Sequence, residues 1–201
     1  MIIMLDANVK KIQQIRERTN IEICQLRTPL TRYRSDPSIP YGLDNGAYSG
    51  FKSYTFETMA AQAEEDDHCQ WIALPDIVGC AYSTLALFHA WKSVIQSKRA
   101  FVLQNGCNYL PIPWDEFDVL FIGGDDSFKM GPTAMMYAKI AHLKNKLVHV
   151  GRINTPKRAD HWFGIADSID GSGISKYDHM LDSMIDYLEE NKDKIQRRLD
   201  E

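Results

Sequence analysis

The sequence predicts an α/β domain closed into a compact (β/α)8 barrel of the TIM type. Three observations carry that expectation. Short apolar runs rich in β-branched residues recur eight times, segments of helical period lie between most of them, and polar residues follow the runs at equivalent places. Strands alternating with helices require a mostly parallel sheet, either closed or open and doubly wound, and eight repeats favour closure.

The candidate strands are Ile2–Leu5, Ile21–Leu26, Tyr41–Leu43, Trp71–Leu74, Phe101–Leu103, Val119–Ile122, Leu147–Val150 and Ser168–Ile169. Val9, Ile12 and Ile15 share one helical face, and Leu87, Phe88, Trp91, Val94 and Ile95 form a second stripe. Gly131-Pro132 and Thr155-Pro156 read as helix starts, because proline is tolerated in the first turn and Thr155 can cap free amides. Gly164 reads as a helix stop. The tail from Asp178 to Glu201 reads as an amphipathic helix with Met180, Met184, Ile185 and Leu188 on its apolar side and a charged end expected to fray. At roughly 25 residues per repeat the barrel is near the small end of its class, and Arg27–Pro40, with three prolines and three arginines, reads as a connection that has lost its helix. No linker, repeat or low-complexity tract divides residues 1–201, which read as one domain.

Composition excludes some functions. A chain that is 44% hydrophobic and 25% charged can bury one continuous core, and a net charge of -4 argues against coating nucleic acid by bulk charge. Any polynucleotide must therefore meet a local basic patch. The four cysteines form no CxxC pair and MIIML is too short for a signal peptide or span, so the expected setting is soluble and cytoplasmic. No close Cys/His pairing marks a zinc site, and neither metal nor cofactor is expected.

The polar positions after the runs are Asp44 in LDNGAYSGF, Asp76 in ALPDIVG, Gln104 in VLQNG, Gly123-Gly124 in FIGGDD, Arg152 in HVGRIN and Asp170 in SIDGSG. In a parallel barrel these positions converge on one mouth and line one pocket. Each has a simpler reading when taken alone. Asp44 and Asp170 precede glycine-containing turns, Asp76 can cap a loop, and the glycines can serve tight turns.

Taken together, these motifs resemble the tRNA-guanine transglycosylase superfamily, and most closely its phage and bacterial DNA-acting branch, which exchanges guanine in DNA for a 7-deazaguanine base. LDNGAYSGF is similar to the family's D-S-G-G-[FY]-Q signature, LPD to its base-recognition aspartate, and LQNG to its V-Q-G-G. FIGG is similar to its A-V-G-G turn, HVGRINTP to its M-G-V-G-T-P, and SIDG to the segment holding its nucleophile. The resemblance runs in order from about Tyr41 to Ile174.

The resemblance implies a role for each residue. Asp170 would attack the anomeric carbon as guanine leaves, and Asp44 would act as acid and base. Asp76 would accept from the two-donor edge of a guanine-like base, while Gln104 and the amides of Gly123 and Gly124 would address its oxygen. Tyr48 would stack on the base, although an ordinary core tyrosine is the competing reading. Arg152, Lys157 and Arg158, with Lys129 in support, would hold phosphate where barrels often do, or else form a solvated surface. Asp125-Asp126 admits a magnesium reading, but adjacent loop acids are more often surface charge.

The tRNA enzymes carry a CxCxxC-plus-His zinc site beyond the nucleophile, and no such cluster follows Asp170, so the zinc-binding subdomain is expected to be missing and DNA is favoured over tRNA. Asn45 and Ala47 stand where the family has serine and glycine. The implied partners are DNA and a free 7-deazaguanine-type base, with a homodimer as a further option. Two rival readings stand beside base exchange: a DNA glycosylase in which water replaces the incoming base, and a noncatalytic nucleic-acid-binding subunit.

Overall fold

The computed structural model describes residues 1–199, with side-chain burial through residue 191. It is a closed, wholly parallel barrel of eight strands in sequence order. The strands are β1 (Ile2–Leu5), β2 (Ile23–Arg27), β3 (Tyr41–Leu43), β4 (Cys69–Ala73), β5 (Arg99–Leu103), β6 (Val119–Ile122), β7 (Leu147–Val150) and β8 (Ser168–Asp170). β8 closes on β1 with Met4 beside Asp170.

The period-2 alternation of each strand divides its side chains between two layers. Met4, Cys24, Leu26, Trp71, Ala73, Val102, Val119 and Phe121 fill the barrel interior. Their neighbours, such as Ile3, Leu5, Ile23, Leu103, Leu120 and Val150, face outward under the helices. The interior leaves no slack beside Trp71. A Cβ on Gly42 would lie 2.3 Å from the indole, and the β3–β4 register shifts at this point. Gly42→Ala is therefore expected to lower stability by roughly 2–3 kcal/mol through overpacking, read as a fall in the denaturation midpoint.

The helices that cover the strands are α1 (Val9–Arg16), α2 (Ser53–Glu64), α3 (Ala81–Trp91), α5 (Pro132–Leu143), α6 (Pro156–Trp162) and α8 (Asp178–Leu199). Single turns α4 (Asp126–Lys129) and α7 (Ser172–Lys176) follow β6 and β8. Both proline starts are realised: Gly131 precedes α5, and the Thr155 hydroxyl accepts from the Arg158 amide at the head of α6. Gly164, at a φ of 76°, ends the turn after α6. On α8, Leu181, Met184, Ile185 and Leu188 are buried. At the charged end expected to fray, α8 runs on to Leu199, and residues 200–201 lie outside the described residues.

No helix joins β2 to β3. Its place is taken by an irregular segment that Arg27 and Gln25 pin from below. Arg27 Nε donates to the Tyr33 carbonyl, and Gln25 Nε2 to those of Ala7 and Arg34. The stripe through Val94 is a correction to the periodicity reading. α3 stops at Trp91 and buries Ala81, Thr84 and Phe88, Ile95 is buried in the following turn, and Val94 is exposed. The extended 3.6-residue spacing there reflects a coiled exit from the helix. Among the described residues no helix is long and apolar enough to cross a membrane.

Candidate active site

The strand ends bring the polar positions together. Asp44, Asp76, Gln104, Gly123, Gly124, Arg152 and Asp170 line one cavity of about 470 Å³, part of it open to solvent. A second cavity of about 760 Å³ shares Asp44, Tyr48, Arg152 and Asp170 and adds Asp6, Thr28 and Lys176. The two lobes thus meet at the pair of aspartates.

The floor of the first lobe is a buried hydrogen-bond network. Asp76 Oδ1 accepts from Asn45 Nδ2 at 2.8 Å, and its Oδ2 accepts from Gln104 Nε2 at 2.6 Å. Asn45 also donates to the Leu74 carbonyl and accepts from the Ala47 amide, so its side chain is fixed where it meets Asp76. Burial raises the Asp76 carboxyl above its usual value, with the Asn45 and Gln104 hydrogen bonds acting against it. Each carboxylate oxygen carries two lone pairs, so a donor edge can still be met.

The expected roles of Gln104, Gly123 and Gly124 need correction. Gln104 Oε1 accepts from the amides of Gly79 and Gly124, at 2.8 and 2.9 Å, and the Gly123 amide donates to the Leu103 carbonyl. These donors are already engaged within the protein, which turns Gln104 into a brace. Gly123 is needed for clearance, because its Cβ would lie 2.6 Å from Gln104 Nε2. Gln104→Ala strands the buried Gly124 amide and one buried carboxylate oxygen and frees the exposed Gly79 amide, and urea unfolding is expected to show a loss of roughly 1–3 kcal/mol.

Asp170 is 8% exposed. Its Oδ2 lies 2.9 Å from His149 Nε2, and its Oδ1 accepts from the Arg152 amide at 3.2 Å. Asp44 reaches the cavity from the end of β3 but is crowded by protein. That burial, then the charges of Asp170 and Asp76, pushes its carboxyl up to about 7, against hydrogen bonds from the Gly46 and Asn45 amides. One of two facing aspartates is therefore poised to hold a proton near neutrality.

Tyr48 is 68% exposed, on the short 3-10 turn Ala47–Ser49, which removes the core-tyrosine reading. The Arg152 guanidinium lies over its ring, 4.3 Å from the centroid, and also donates to the Gly124 carbonyl. Arg152 has a φ of 61°, a left-handed conformation unusual for a side-chain-bearing residue.

The four basic candidates separate. Lys157 is exposed. Arg158 pairs through both terminal nitrogens with Asp126, which accounts for that loop acid without a metal. Asp125 caps α4 by accepting from the Phe128 amide. Lys129 is a correction: it is wholly buried, lines the first lobe and donates from Nζ to the Gly151 carbonyl. Burial, then the Arg152 charge, brings its ammonium down to about 8. A lysine so enclosed cannot serve as a surface phosphate grip.

No protein-family model matches the chain, and no curated protein matches it. Among solved structures, one described as KGPDC from Streptococcus mutans aligns over 98% of this chain and 96% of its own, at 12% identity and a TM-score of 0.49. That likeness carries no statement about activity.

Three site residues escaped the sequence reading: His149, buried beneath Asp170, Lys129 as a pocket cation, and Asp6 at the end of β1. Asp6 accepts from the Thr31 hydroxyl at 2.6 Å, and burial raises its carboxyl, with Asp170 adding to the shift. Its signal was available, since Asp6 follows the run IIML as Asp44 follows YGL. Among the described residues no cluster of three or more His, Cys, Asp or Glu groups is arranged to hold a metal.

Proposed function

We propose that the chain is a nucleic-acid base-exchange enzyme that replaces guanine in DNA with a 7-deazaguanine base through a covalent aspartyl-sugar intermediate. The observation that carries this reading is the aspartate pair at one cavity, one member poised near 7 and the other fixed by two hydrogen bonds. Such a division of labour matches displacement at an anomeric carbon with retention. Asp170 attacks C1′ as the C1′–N bond breaks, and Asp44 gives its proton to the departing base. The incoming base then loses a proton to Asp44, and its nitrogen displaces Asp170 from C1′. Both aspartates end as they began.

The first lobe suits the base. Asp76 would accept from N1–H and the exocyclic amine of guanine, with its orientation set by Asn45 and Gln104. The exposed Tyr48 ring is available for stacking on a base flipped from its strand. Arg152 and Lys157 would meet phosphate. The choice of DNA over tRNA rests on the motif resemblance.

The test is incubation with DNA, and separately tRNA, labelled in guanine, with and without a 7-deazaguanine base. Label release from DNA that depends on the added base, with a nucleoside of new mass, is the expected result. An abasic product would select hydrolysis, and release from neither polymer would overturn the proposal.

A further inference from the structure

His149 is an unusual choice for its position. Its strand neighbours Val148 and Val150 face outward into the core, which turns the imidazole inward, where it is fully buried between Trp71 and Phe121 at centroid distances of 4.7 and 4.6 Å. A leucine or phenylalanine would fill that apolar slot. The ring instead joins two polar groups of β8, with Nδ1 2.8 Å from the Ser168 hydroxyl and Nε2 2.9 Å from Asp170 Oδ2. Against a carboxylate oxygen, which accepts, Nε2 is the nitrogen that donates, and Nδ1 is left to meet the Ser168 hydroxyl.

We propose that His149 is a positioning residue that makes the aspartyl-sugar ester reversible, an inference that rests on the base-exchange reading. The Nε2–H bond fixes Oδ2 and leaves Oδ1, held by the longer bond from the Arg152 amide, as the oxygen that bonds to C1′. In the first step the C1′–N bond breaks, the Oδ1–C1′ bond forms and the carboxylate charge is lost. In the second step the Oδ1–C1′ bond breaks and the electron pair returns to Asp170. A donor on Oδ2 favours the charged form, so it aids the departure of Asp170 and restrains over-stable ester formation. Exchange needs both steps to run at comparable rates, and the apolar walls around the ring strengthen the hydrogen bond that balances them.

His149→Phe keeps the ring and its packing and removes the donor. It is expected to slow exchange roughly ten- to a hundredfold while the fraction of protein caught as covalent adduct, after a denaturing quench at steady state, rises. A merely structural role would lower rate and adduct together. His149→Gln, whose amide can donate from about the same place as Nε2, is expected to restore exchange to within roughly tenfold of the native protein. Ser168→Ala, which frees the far side of the ring, is expected to lengthen adduct lifetime in the same direction and decides the matter if His149→Phe does not fold. Native-like exchange and adduct levels in the folded donor-free variant would overturn the proposal alone. Native protein that neither releases base nor forms an adduct would overturn the functional reading and this proposal with it.

Discussion

Asp170→Ala is expected to reduce base release by roughly 10⁴-fold or more and to abolish the covalent adduct, because it removes the oxygen that attacks the sugar in the two-step displacement. Alanine is preferred to asparagine, which would deamidate back to aspartate before Gly171. The variant should still fold, with a penalty of roughly 1–3 kcal/mol from stranding the buried His149 Nε2–H and freeing the partly buried Arg152 amide. Circular dichroism and a urea midpoint separate that modest loss from the kinetic one. Retention of full biological function by this variant would favour the noncatalytic reading.

Asp44→Asn is expected to separate activity from stability in opposite directions. Loss of the acid/base should slow base release by roughly 10²–10⁴-fold. The stability effect follows from the position of the carboxyl, near 7 in the folded chain and 3.8 ordinarily. Between those values the folded protein holds a proton that the unfolded chain has lost, so this group's contribution is full below about 3.8 and declines as pH rises through 7. Above 7 the native protein buries a charge beside Asp170 and Asp76 that an amide does not carry. The variant should therefore be more stable than the native protein at pH 8, on the order of 1–3 kcal/mol, with the gain vanishing toward pH 4. Base release by the native protein should fall above pH 7 as the acid form is lost. A variant less stable at pH 8 would contradict this assignment.

The barrel was legible because its signals repeat. Each strand is a short apolar run, and errors at single ends, such as Leu74 at β4 or Ile21 at β2, do not disturb the count. The loss of a helix before β3 was equally plain in the prolines of 27–40. The aspartates were legible as a set, since strand ends converge, but single residues inside strands were not. His149 sits within an apolar run whose inward face is invisible until the register is known. Lys129 looked like surface charge because its burial depends on the close packing of the turn Asp126–Lys129 over Gly151. The amides of Gly123 and Gly124 looked available because only the fold reveals that Leu103 and Gln104 already use them.

The central claim is that Asp170 becomes covalently joined to the sugar. A guanine-containing oligonucleotide mixed with the native protein, quenched in acid denaturant and weighed intact, should give a species equal to protein plus oligonucleotide less one guanine, and peptide mapping should place the bond on Asp170. Base released at full rate with no such species, or a bond on another side chain such as Lys129, would contradict it.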